Sequence, residues 1–164
     1  MIEQFPVIIT VRDRLTPLLA LLQWLKSVGQ REIWLCDNAS TYPPMVEFLK
    51  STEHKVMYNN FNLGHRAPWL SGLVPDLGHD RHFIVTDPDV VPTEQCPKDV
   101  LQVFKRALDE HSEFDKVGFS LKIDDLPDHF RHKENVILWE SQFWVDRFSK
   151  RFYRAPIDTT FAMY

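Results

Sequence analysis

Phe83-Ile84-Val85-Thr86-Asp87-Pro88-Asp89-Val90-Val91-Pro92 is the stretch on which the reading of this chain turns. Its opening apolar residues, Ile84 and Val85 both β-branched, predict a strand buried on both faces. Pro88 fixes φ and lacks an N–H, so the sheet ladder stops there and the chain turns. Asp87 and Asp89 are thereby set at the carboxyl end of a buried strand, the edge where open α/β sheets bind ligands. Two neighbouring carboxylates repel each other, and a cation between them relieves the repulsion. Their hard oxygens suit Mn²⁺ or Mg²⁺, ions that commonly bridge to phosphate. The plainer alternative is that both are turn residues closing a strand.

Upstream, the same strand-then-polar-turn unit recurs. Residues 5–11 form a β-branched run that reads as a central parallel strand, ending at Arg12-Asp13-Arg14. Thr16 is the expected N-cap of a following helix, with Pro17 at its first position. Leu18, Leu21, Leu22, Leu25 and Val28 follow at helical spacing, and Gly29 is a natural stop. Residues 32–36 predict a second strand, ending at Asp37-Asn38-Ala39-Ser40. Pro43 and Pro44 open a helix whose apolar face is Met45, Phe48 and Leu49. Residues 55–58 predict a third strand, ending at Asn59-Asn60, and residues 74–81 read as rich in turns. Strands alternating with helices imply right-handed crossovers. The expected fold class is α/β: a three-layer α/β/α, Rossmann-like domain with a mostly parallel central sheet.

Downstream the pattern changes. Pro97 is expected to open a helix carrying Val100, Leu101, Phe104 and Leu108 on one side. Val117, Phe119, Leu121 and Ile123 alternate with polar residues or glycine, which predicts a strand with one wet face. Residues 133–153 are dense in aromatics, and the spacing of Trp139, Phe143 and Trp144 favours a helix. Residues 155–164 read as a final strand; a domain would more naturally continue past it, so a chain cut short at this end is expected. The 164 residues are expected to form one domain, with a nucleotide-binding half (1–92) and an acceptor-side half (93–164).

Composition narrows the function classes. Hydrophobic residues make up 44% and charged residues 26%, ordinary for a globular protein that buries a core without staples. The formal net charge of -4, without a basic run, argues against nucleic acid as a partner. Cys36 and Cys96 form neither a metal pattern nor a disulfide framework, and Cys36 is expected in the core. The apolar runs are too short for a signal peptide or a transmembrane segment, so a cytoplasmic location is expected. Peripheral contact with a membrane stays open.

Four strand ends carry the chemistry. Arg12, Asp37-Asn38, Asn59-Asn60 and Asp87 with Asp89 each follow a predicted parallel strand, so all fall on one carboxyl edge. Such a rim suits a nucleoside diphosphate. Asp37 can accept from a base N–H or a ribose hydroxyl, and Arg66 can pair with a pyrophosphate through its fork of donors. A cation on Asp89 would neutralise charge on a leaving diphosphate. The absence of G-x-G-x-x-G and of a Walker A lysine argues against a dinucleotide dehydrogenase and a P-loop NTPase. A phosphatase with Asp87 as nucleophile is disfavoured because the motif follows the fourth strand.

On these residues the chain resembles a GT-A glycosyltransferase, closest to the family 2 nucleotide-sugar transferases. The resemblance rests on Val7-Ile8-Ile9-Thr10-Val11-Arg12-Asp13-Arg14, Asp37-Asn38-Ala39-Ser40, Asn62-Leu63-Gly64 with Arg66, and Asp87-Pro88-Asp89 in place of the D-x-D motif. It implies a UDP-sugar donor and a saccharide or glycolipid acceptor, as in polysaccharide biosynthesis, with Mn²⁺ or Mg²⁺ dependence and inversion at the anomeric carbon. Thr10 and Arg12 would border the nucleobase, Asp37 would contact uracil or ribose with Asn38 beside it, and Asn62 and Arg66 would approach the base or diphosphate. Asp87 would sit near the ribose and Asp89 on the metal. The family's late Glu-Asp pair, which holds the general base, is not matched; Asp158, Glu140 and Asp125 are the candidates. A non-catalytic nucleotide-sugar-binding or scaffold domain of the same fold is the alternative. Trp69, Trp139 and Trp144 are candidates for stacking on acceptor sugars, with core packing expected for at least two of them.

Overall fold

The β-branched run at residues 7–11 forms the middle of the sheet. In the computed structural model, which describes residues 3–77, 81–157 and 160–164, β1 (Val7–Val11) is buried except at half-buried Thr10. It pairs in parallel with β2 (Ile33–Asp37) on one side and β4 (Ile84–Thr86) on the other. β3 (Lys55–Tyr58) adds outside β2, also parallel. β8 (Ala162–Met163) runs antiparallel to β4, and β5 (Val117–Gly118) completes the order β3-β2-β1-β4-β8-β5. The result is a mixed α/β fold with a six-stranded, mostly parallel central sheet flanked by helices, as the Rossmann-like pattern of the sequence predicts.

Side chains alternate across each strand, so the sheet needs cover on both faces. Ile8, Cys36 and Val85 form one buried cluster with Ala67 of α3 (Ala67–Leu70) and Leu73 of α4 (Leu73–Asp76). Trp69 packs against that cluster and meets Tyr164 edge to face at 5.5 Å, so it is a core ring. Helix α1 (Leu15–Ser27) buries Leu18, Leu21 and Leu25, and α2 (Pro43–Ser51) buries Met45 and Leu49. Helix α5 (Val100–Glu110) buries Val100, Leu101 and Phe104.

Several boundaries differ from the sequence expectations, each for a local reason. Thr16 is not an N-cap: α1 begins at Leu15 after Arg14, and no side chain caps it. Pro17 still lies in the first turn, where a missing N–H costs no helical bond. Pro97 stands before α5 rather than inside it, with its carbonyl accepting from the Val100 N–H at 3.2 Å. Residues 73–76 form a short helix inside the turn-rich segment. The alternation over 117–124 overpredicts a strand: only Val117–Gly118 joins the sheet, because its neighbour β8 is two residues long and offers no further ladder.

The chain divides into two compact units, Met1–Val117 with Thr159–Tyr164, and Gly118–Asp158. The second unit contains α6 (Lys133–Ser141), a 3-10 turn at Gln142–Trp144, and a hairpin of β6 (Asp146–Arg147) and β7 (Tyr153–Arg154). The helix expected across the aromatic segment therefore ends at Ser141. Beyond it the chain turns back, with the Phe148 and Ser149 N–H groups both donating to the Phe152 carbonyl. Trp139 and Trp144, two of three rings expected in the core or on a sugar, are 60% and 41% exposed.

Candidate functional site

Register fixes where the strand-end residues lie. Val11 is level with Asp37, Asp37 with Tyr58, and Ile9 with Thr86. The residues that follow these strands thus emerge along one rim of the sheet: Arg12, Asn38, Asn59 and Asp87. This is the carboxyl edge on which the sequence places a ligand.

Side-chain hydrogen bonds then stitch the four loops together. Asn38 is 3% exposed and clamps the loop after β3: its amide donates to the Gly64 carbonyl at 2.9 Å and its Oδ1 accepts from the Leu63 N–H at 2.8 Å. Gly64 makes that bend at φ +68, a conformation that costs glycine little. Asn62 Oδ1 accepts from the Gly64 N–H at 2.9 Å, and Arg66 ends the 3-10 turn Gly64–Arg66 with its side chain exposed. Asp37, 5% exposed, closes its own turn by accepting from the Ser40 N–H at 3.1 Å.

Asp13 joins the first loop to the second. Its Oδ1 accepts from the N–H groups of Thr41 and Tyr42, both at 2.7 Å, and its own N–H donates to Ser40 Oγ at 3.2 Å. The Tyr42 N–H is the main reason its carboxyl group lies below the usual aspartate range; burial opposes, while Thr41 and the Arg12 charge add to the lowering. Asp13 and Ala39, at φ 56 and 60, both adopt the left-handed region just past a strand end. Aspartate tolerates this conformation, whereas alanine pays roughly 1 kcal/mol for it. Strain of that kind gathers where a loop is held for a purpose.

Arg14 completes the circuit by forming an ion pair with Asp89. Both side chains are exposed, 62% and 42%, so the pair contributes little to stability but does occupy the carboxylate. Asp87 is half-buried, and Pro88 between the two is buried.

The donor set bears on the expected cation. Among the described residues no three His, Cys, Asp or Glu side chains gather into a metal site of their own. Asp87 and Asp89 supply hard oxygens, and Mg²⁺ characteristically takes one or two carboxylates and fills its shell with water and phosphate. The residue types suit such a cation, which would have to displace Arg14 from Asp89 to reach that carboxylate. Thr10, half-buried, and Arg12, exposed, stand at the same end of β1. Of the expected general bases, Asp158 lies outside the described residues. Glu140, in α6, and Asp125, ion-paired to Lys122 at 3.0 Å, belong to the second unit and not to the strand-end loops.

Asp13, Arg14 and Ser40 are the site residues that sequence reasoning passed over. The sequence held no local signal for them: Thr16 read as the cap of α1, and the missing cap is visible only in the structure. No known family's sequence profile matches the chain, and no curated protein is significantly similar to it.

Proposed function

We propose that the chain is a GT-A-type glycosyltransferase that binds a nucleoside-diphosphate sugar, UDP-sugar foremost, and moves the sugar to a hydroxyl acceptor with a divalent cation. The observation that supports it most is the joining of four strand-end loops by Asp13, Asn38 and the Arg14–Asp89 pair along one sheet rim. Asp37 serves the nucleoside end, with Asn38 beside it holding the loops in place, Arg66 the diphosphate, and Asp87 with Asp89 the cation. Calorimetric titration of UDP with Mn²⁺ tests the site. The expected result is saturable binding that Asp89→Ala weakens at least about tenfold, the loss of one charged ligand. Absence of binding to the unaltered chain, or equal binding to both, defeats the proposal.

A second reading, a nucleotide-sugar-binding domain without turnover, is favoured by the Arg14 guanidinium already on Asp89. In that case Arg14 stands where the cation would, and UDP binds without metal. Arg14→Ala separates the two: it strengthens Mn²⁺-dependent binding of UDP under the first reading and weakens metal-free binding under the second. Release of UDP from a panel of donors, measured with and without Mn²⁺, then decides whether the site turns over.

A further inference from the structure

The Gly118–Asp158 unit exposes apolar and basic side chains that belong to none of the strand-end loops. Helix α6 buries none of its residues, so it does not hold a core together. Leu138 and Trp139 are 78% and 60% exposed on it, and Trp144 and Val145 beyond it are 41% and 78% exposed. All four lie within residues 138–145, and the two tryptophans each pack on a neighbouring ring. Phe143 meets Trp139 edge to face at 6.3 Å, and Trp144 meets Tyr153 of the hairpin at 5.5 Å. Large apolar side chains left exposed this near one another in the chain point to a place where something binds.

The hairpin supplies the charge. Residues 146–154, Asp-Arg-Phe-Ser-Lys-Arg-Phe-Tyr-Arg, contain four cations against one carboxylate, Asp146, a local excess of positive charge that the net charge of -4 conceals. Among the described residues none of the four forms an ion pair. Arg147 instead ties the turn by donating to the Ser149 and Lys150 carbonyls at 3.2 and 3.3 Å, and Arg154 lies over the Phe148 ring at 4.8 Å. Arg147 and Arg154 are thus held in place, and all four cations are exposed to solvent.

We propose that this surface docks on an anionic lipid bilayer. Tryptophan favours the headgroup level, leucine and valine gain by entering the acyl boundary, and lysine and arginine are drawn to anionic headgroups. A nucleic acid would use the cations and the rings but has nothing to offer Leu138 or Val145. An acidic protein would leave the tryptophan and aliphatic edge without a matching layer. The surface depends on neither reading of the sheet rim.

The test mixes the full chain with vesicles of phosphatidylcholine alone and with vesicles of an equal mixture of phosphatidylcholine and phosphatidylglycerol. Co-sedimentation with the mixed vesicles only is expected, weakening as salt rises. Lys150→Gln combined with Arg151→Gln removes two headgroup charges and is expected to weaken it about thirtyfold. Leu138→Ser combined with Val145→Ser weakens it through the apolar side chains alone. Bilayers with brominated acyl chains report insertion of the unaltered chain: quenching of tryptophan emission supports the proposal, and its absence overturns it. Failure to sediment with the mixed vesicles, equal sedimentation with both kinds, or apolar contact explained by a concentration-dependent dimer likewise overturns it.

Discussion

At the residue scale, Asn38 shows how one buried amide does two jobs. It cannot be left half-paired, since a buried N–H or C=O without a partner costs about 1–3 kcal/mol. Asn38→Ala strips the Leu63 N–H and the Gly64 carbonyl of their partner together. A loss of about 1–3 kcal/mol in urea unfolding is expected, with faster amide exchange at residues 62–66. Asp13 gives a different signature. Its folded carboxyl lies below the ordinary aspartate range because the charged form accepts the Tyr42 and Thr41 N–H groups. A depressed folded value means that the stabilisation is full above the ordinary aspartate value and fades as pH falls through the folded value. Asp13→Asn should therefore be less stable than the unaltered chain at neutral pH, with the gap closing in acid; parallel urea titrations across pH would read it. The rim residues Asp37, Asn38, Asp87 and Asp89 were legible in the sequence because they stand within a few residues of the end of a buried apolar run. Asp13 and Arg14 were not, because their partners are distant: Asp13 bonds residues 28 and 29 positions away, and Arg14 pairs with a residue 75 positions away.

At the scale of elements, the first half of the chain was readable and the second half less so, and the difference is physical. Strands β1, β2 and β4 are mostly buried and β3 pairs with β2, so each has an apolar centre, and each is followed by polar turn-forming residues. Their helices carry a clear apolar face. Leu21, fully buried in α1, is a case in point. Leu21→Ala should cost about 2–5 kcal/mol, the range for emptying a core leucine site, and thermal unfolding would register it as a lower Tm without a change of fold. In Gly118–Asp158 the alternation and the aromatic spacing were present, but no buried partner gave them their usual meaning. Phe119 to Asp124 still alternate between half-buried and exposed, yet they form no strand. Helix α6 has aromatic spacing without a buried residue. Periodicity reports which face is apolar; a ladder or a core also needs a neighbour, and a neighbour is not written locally.

At the scale of the whole molecule, the larger unit is assembled from discontinuous chain. Its sheet takes β8 from the last residues, after the entire Gly118–Asp158 segment has intervened. That strand does more than lengthen the sheet. Phe161, Ala162 and Met163 are fully buried, and Phe161 meets Trp24 of α1 edge to face at 5.7 Å. Tyr164 stacks on Phe83 at 5.2 Å, and its N–H donates to the Phe83 carbonyl at 2.9 Å. Deleting residues 160–164 would strip one edge of β4, the strand that leads directly into Asp87 and Asp89. Burial of a phenylalanine and a methionine contributes about 1.5–3 kcal/mol each, so roughly 3–6 kcal/mol should be lost against a typical total of about 5–15 kcal/mol. The shortened chain is expected to unfold at a markedly lower urea concentration and to expose the β4 edge, a template for aggregation. A control separates edge loss from core loss. Phe161→Ala keeps the β8 ladder and removes only the ring, so it should lower stability by about 3–5 kcal/mol without promoting aggregation. Light scattering alongside the urea series reads both quantities, and a shortened chain that stays as stable and as monodisperse as the full one would show that β4 does not depend on β8.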